Sequence, residues 1–175
     1  MVVRVFSGKR PSFGKRVFVD ETAVVIGDVR LADDSSVWPG AILRADDDFV
    51  DIGPGTAMLD MSFAEAPKGK PVQVGKNCLV SHGAKLHGCR LEDSVLVGIG
   101  AIVLDGASIG EGSVVASGSL VSPGTAFPAR SFIVGTPGKV TRQTTDEELS
   151  WTRNECDLLK AKAAKYESQR QSQAI

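Results

Sequence analysis

Residues 91–133 read LEDSVLVGIGAIVLDGASIGEGSVVASGSLVSPGTAFPARSFI, and every sixth position of that stretch is apolar: Leu91, Val97, Val103, Ile109, Val115, Val121, Phe127 and Ile133. Glycine keeps returning just after the apolar position, as in Ile109-Gly110. A fixed period of six with glycine at the corners is the signature of a parallel β-helix, in which each hexad supplies one short face and its turn. Three hexads complete a coil. One coil cannot bury its apolar residue alone, whereas stacked coils join these residues into an interior column while the backbone pairs from coil to coil.

The pattern extends towards the N-terminus in three further registers: Val19, Val25, Leu31, Val37 and Leu43; then Ile52, Met58 and Ala64; then Val74, Val80 and Leu86. Phase is lost near residues 44–52, again at 65–74, and by one residue between Leu86 and Leu91. Such shifts mark loops or corner deletions, and the run from Ala66 with Pro67, Gly69 and Pro71 reads as an extruded loop over 66–73. After Val140 the hexads stop. Thr144 or Thr145, followed by Asp146, Glu147 and Glu148, reads as a capped helix start. Leu149, Cys156, Leu159, Ala163 and Tyr166 then follow helical spacing. The expected organisation is all-β: a β-helix domain with an N-terminal cap over 1–143, a C-terminal α-helix over 144–168 packed on the coils or on a neighbouring subunit, and a Gln- and Ser-rich tail over 169–175 that frays.

At 175 residues the chain holds one domain plus an appendage. Twenty basic against 21 acidic residues leave a net charge of −1, which gives no whole-chain reason to bind nucleic acid or an anionic membrane. Nineteen glycines with one Tyr and two Trp point to many turns around an aliphatic core. Cys78, Cys89 and Cys156 are odd in number and form no CxxC pair, as expected of a cytoplasmic protein with reduced thiols. The first ten residues lack the continuous apolar segment of a secretory signal, and no apolar run reaches membrane-spanning length. No GxGxxG or GxxxxGK[ST] phosphate loop is present.

Both histidines lie in one block, Ser81-His82-Gly83-Ala84-Lys85-Leu86-His87-Gly88-Cys89, beside the one-residue phase shift. Imidazole is a common metal ligand and proton acceptor. A separation of five puts the two rings at corners of different faces, pointing in different directions, so one chain alone does not bring both onto one ion. Glu65 precedes His87 by 22 positions, one coil plus the extruded loop, and Asp60 precedes His82 by the same 22. Stacking therefore predicts a Glu65 and His87 pair on one subunit, completed by His82 from a neighbour across a cyclic interface. Cys89 beside the block reads as a small buried hydrophobe packing at a corner.

Leu43-Arg44-Ala45-Asp46, Val50 to Asp60, Val74 to Gly106 and Phe132 to Arg142 resemble the γ-class carbonic anhydrase family, and the His82 to Cys89 block matches its most specific motif, with Ser81 in place of the first glycine. The resemblance implies a left-handed β-helix and a homotrimer with Zn²⁺, or another divalent ion such as Fe²⁺ or Co²⁺, at each subunit interface. It also implies hydration of CO2 to bicarbonate through a metal-bound hydroxide. His82 and His87 match two of the family's three histidine ligands, and Glu65 stands at the third. Two histidines and a glutamate suit catalytic zinc. As an anion, however, Glu65 lowers the charge of the site, and its role stays open between ligand and base. Arg44, Asp46 and Asp60 match residues that build the interface near the metal. The family's water-orienting Gln falls on Leu59 and its helix Tyr on Leu159. A non-catalytic scaffold and a coenzyme A-dependent acyltransferase remain as alternatives, the latter because hexapeptide transferases share the coil.

Overall fold

The computed structural model of the chain describes residues 2–173. The hexad positions fall in rotation on three faces of a left-handed parallel β-helix. The first face stacks strands Phe18–Val19, Ser36–Val37, Ala57–Met58, Leu79–Val80, Leu96–Val97, Val114–Val115 and Ser131–Gly135. Val25, Leu43, Ala64, Leu86, Val103 and Val121 form the column of the second face, all fully buried. Leu31, Ile52, Val74, Leu91, Ile109 and Phe127 form the column of the third. Alternation along each short strand turns one residue into this column and its neighbour outward.

The phase shifts all fall on one corner, between the second and third faces. Leu43 to Ile52 takes three residues more than the regular six, Ala64 to Val74 four more, and Leu86 to Leu91 one fewer. Ala66 is buried and Val72–Val74 is a strand, so the protruding part of the expected 66–73 loop is narrower, around Pro67 to Pro71. Lys70 N–H donates to the Pro67 carbonyl at 2.9 Å and closes its turn. The shortened corner below carries Gly88 at φ +55°, where an added Cβ would sit 2.9 Å from Lys70 Cβ and 3.3 Å from Pro67 Cδ. Only glycine leaves room for the loop to lie there.

Two features at the C-terminal end depart from the expected organisation. Gly138–Gln143 turns back as an antiparallel strand on Ser131–Gly135, which caps the open edge of the last coil with an exposed, largely polar strand. The helix runs Asp146–Gln173, so it starts later than residue 144 and continues through residues expected to fray; residues 174–175 lie outside the described residues. Thr145 is its cap. The Thr145 hydroxyl accepts from the Glu148 N–H at 3.1 Å, while Glu148 Oε2 accepts from the Thr145 N–H at 2.9 Å.

Cys156, Leu159 and Ala163 pack the helix on the first face of its own chain against Phe18, Trp38, Ala57, Leu59 and Leu79. Tyr166 stands over Phe18 and Trp38 with ring centroids 5.9 and 5.8 Å away. The Arg142 guanidinium, helped by the Thr145 N–H, holds the Glu148 carboxyl at about 2, below its ordinary 4.5. A depressed carboxylate stabilises the fold above the unfolded value and stops doing so as pH falls through the folded one. Glu148→Gln should therefore be less stable than the parent above pH 4.5, and the gap should close as pH falls to about 2; unfolding midpoints measured across that range check this.

Candidate metal centre

The outward residues distinguish the three faces. The first is covered by the helix, and the third presents Arg30, Asp51, Gln73 and Arg90 to solvent. On the second, Val24, Ile42, Phe63, Lys85, Ile102 and Leu120 stand in register as an outward column, apolar apart from the lysine. Exposed Met61 and Ile99 flank it, and no described segment covers it. The next outward column carries Arg44, Glu65 and His87 in successive layers.

The expected 22-residue offset is realised: Glu65 pairs in register with His87 on adjacent strands. His87 Nε2 lies 3.8 Å from Glu65 Oε2. The other Glu65 oxygen accepts a hydrogen bond from Arg44, and Arg44 Nε lies 3.4 Å from Asp46 Oδ1. His82 sits at the opposite edge of the second face, in the corner before strand Lys85–His87, with Nδ1 3.1 Å from Asp60 Oδ2 and a half-exposed ring. The predicted residues thus form two groups, Arg44, Asp46, Glu65 and His87 at one edge and Asp60 with His82 at the other. Among the described residues no three His, Cys, Asp or Glu side chains converge as a metal group within one chain.

Asp105 is a member of the site that the hexad reading passes over. It lies 18 residues, one regular coil, beyond His87, and its carboxylate hydrogen-bonds His87 Nδ1. Lys70 from the extruded loop donates to its other oxygen at 2.8 Å. Lys70 first, and His87 second, hold the Asp105 carboxyl below the usual carboxylate range. An ionised carboxylate only accepts, so Nδ1 of His87 is the donor of this bond, which in the neutral ring leaves Nε2 as the acceptor. On the other side of the ring, Nε2 and Glu65 Oε2 face each other. Ligands on a tetrahedral zinc at about 2.05 Å stand about 3.3 Å apart, so a closure of about half an ångström would let both grip one cation. The donor set fits a divalent ion.

Leu59 and Leu159 lie elsewhere. Both are buried in the apolar seam between helix and first face. Cys89 is buried in the coil interior, which pushes its thiol up to about 12, and it packs there as a small hydrophobe.

No protein-family model matches the chain. It is 41% identical over 159 residues to protein YrdA of Escherichia coli, covering 87% of this chain and 86% of that one. A probable carbonic anhydrase of Methanocaldococcus jannaschii is 46% identical over 135 residues, 77% of this chain and 85% of its own. The mitochondrial gamma carbonic anhydrase 2 of Arabidopsis thaliana is 41% identical over 147 residues, 81% of this chain. This chain belongs to the γ-carbonic-anhydrase-like family. It spans about half the plant protein, 53% of that length.

Solved structures share the coil of this γ-carbonic-anhydrase-like chain. A putative acetyltransferase of Bacillus cereus superposes with a TM-score of 0.91 at 29% identity, covering 95% of this chain and 97% of that one. A hexapeptide transferase family protein of Anaplasma phagocytophilum gives 0.89 at 32%, covering 94% and 98%. Members of the family named for carbonic anhydrase imply a divalent metal in the family. Among the described residues no helix is long and apolar enough to cross a membrane.

Proposed function

We propose that this chain forms a homotrimer that holds a divalent metal, zinc or alternatively iron or cobalt, between Glu65 and His87 of one subunit and His82 of the next, and that the centre hydrates CO2 to bicarbonate. The observation that carries the reading is the approach of His87 Nε2 to Glu65 Oε2 on an apolar face that no described segment covers. An apolar face left open is the mark of an assembly surface. Cyclic symmetry would set the His82 edge of one copy against the His87 edge of another.

A divalent ion held there supplies Lewis acidity and a nucleophile near neutral pH by acidifying water. The chain's own residues prepare the place. Arg44 balances the Glu65 charge, Asp46 braces Arg44, Asp60 holds Nδ1 of His82, and Phe63 and Ile102 keep the interface dry. Glu65 also stands where a proton acceptor is needed, which gives it a second role as base. The buried, unpaired thiols support a reducing, cytoplasmic setting.

Hydration assays on protein loaded separately with zinc, cobalt and iron test the activity; a loaded protein no faster than buffer sinks it. Assembly has its own test. Ile102 pairs in register with Lys85, so Ile102→Lys sets a second cation into the apolar column and should turn trimer into monomer in sedimentation experiments, with the circular dichroism of the coil retained. An unaltered trimer would place the interface on another face.

A second reading, a scaffold that keeps the assembly without the chemistry, is favoured by two observations. The Arg44 guanidinium already occupies one Glu65 oxygen, and Leu59 and Leu159, at positions where the family has polar residues, are packed in the helix seam. It expects trimers free of metal whose assembly is indifferent to His82→Ala. Acyl transfer, suggested by the names of the solved neighbours, would be supported by turnover of acetyl-coenzyme A with an amine or alcohol.

A further inference from the structure

His87 is anchored from outside the group of residues that the motif marks. Its strand, Lys85–His87, ends at the shortened corner, where a ring would otherwise be free to turn. Three contacts prevent that. Gly88 N–H donates to the Glu65 carbonyl at 3.0 Å and ties the backbone after His87 to the layer before it. Gly106 N–H donates to the Gly88 carbonyl at 2.6 Å and places Asp105 directly beyond the ring. The extruded loop rests against Gly88, and this seat brings Lys70 Nζ to the Asp105 carboxylate.

Each contact depends on the one before it. Adding a Cβ at Gly88 would lift the loop, lifting the loop would withdraw Lys70, and without Lys70 the Asp105 carboxylate could swing to solvent. We propose that Asp105 and Lys70 are positioning residues of the site: Asp105 fixes the His87 ring with its proton on Nδ1 and its Nε2 lone pair beside Glu65, and Lys70 fixes Asp105. Use of that lone pair for a metal rests on the function proposed above; the tautomer itself does not. A carboxylate behind a ligating imidazole orients the ring and raises its basicity, and losing such a partner typically costs ten- to a hundredfold in metal affinity. The loop is thereby a strut, and the four residues added at its corner and the one removed below it serve the same side chain.

The chain has two histidines, so ring-¹⁵N spectra of metal-free protein near pH 8 resolve both. In the parent, His87 should show the Nδ1–H tautomer, whereas unconstrained histidine carries its proton mainly on Nε2. Asp105→Ala should return His87 to the Nε2–H form. Lys70→Met, a change in an exposed loop side chain that leaves the coil intact, should give a mixture. Zinc affinity, read by chelator competition, should fall about tenfold or more in Asp105→Ala and less in Lys70→Met. A parent His87 already in the Nε2–H form, or variants with parental spectra, overturns the proposal. A parent with the Nδ1–H tautomer that binds no zinc leaves the positioning role standing and removes the metal reading instead.

Discussion

Glu65→His should raise CO2 hydration by the zinc-loaded protein at least tenfold over the parent, read as the initial rate of pH change in buffered CO2. The reason is charge. A carboxylate ligand lowers the net positive charge felt by coordinated water and leaves that water less acidic, whereas a third imidazole is neutral. The substitution also removes the partner of Arg44, whose guanidinium now hydrogen-bonds one Glu65 oxygen, and frees Arg44 to close its 3.4 Å contact with Asp46. The strand geometry should tolerate it, because Glu65 points outward in register with His87 and is only partly buried. If Glu65 acts as a base that the reaction requires, the variant should instead lose activity while binding zinc more tightly. A trimer with parental rate and parental affinity would remove position 65 from the centre.

Leu86→Ala should cost about 2–5 kcal/mol, towards the upper end of that range, for a reason visible in its column. Leu86 is fully buried and stacks on Ala64, the smallest residue of the second-face column, so its side chain fills volume that the layer before it leaves open. Two alanines in succession would leave a cavity that the rigid coils on either side cannot collapse. A loss of that size corresponds to a fall of about 5–15 °C in Tm. Ala64→Leu introduced into Leu86→Ala should recover part of it by returning the methylenes one layer away. Calorimetry on the two variants decides between a volume effect, which the second change repairs, and a requirement for leucine at position 86 itself, which it does not.

What is legible in the sequence is whatever repeats. The hexads fixed which residues are interior, because a β-helix buries one residue per face regardless of what its neighbours are. Phase shifts located the one corner where the coil departs from regularity. The 22-residue offset then put Glu65 beside His87 and Asp60 beside His82 without any knowledge of side-chain contacts. Asp105 escaped this reading although its signal was present: it lies one regular coil from His87, but it sits among ordinary corner residues, and only the direction of a side chain separates it from Asp93 or Glu111. The antiparallel strand Gly138–Gln143 was missed for another reason. It pairs by reversal at an edge and carries no period. The helix outran its expected end because Gln and Ser lower helix propensity only weakly, so a long packed helix continues through them.

Every layer of the stack pairs with one that lies 17 to 22 residues away in the chain. Such contacts can form in the order in which the polypeptide is synthesised, as in other solenoids, where each unit needs only its neighbour. Arg44, Glu65, His87 and Asp105 therefore meet one after another as the ribosome advances. Once Asp105, just beyond the fifth of the second-face layers, Ile102–Val103, is in place, all four of these residues are present. The helix that shields the first face has by then not been translated, so a nascent chain holds this finished cluster while its opposite side is still bare.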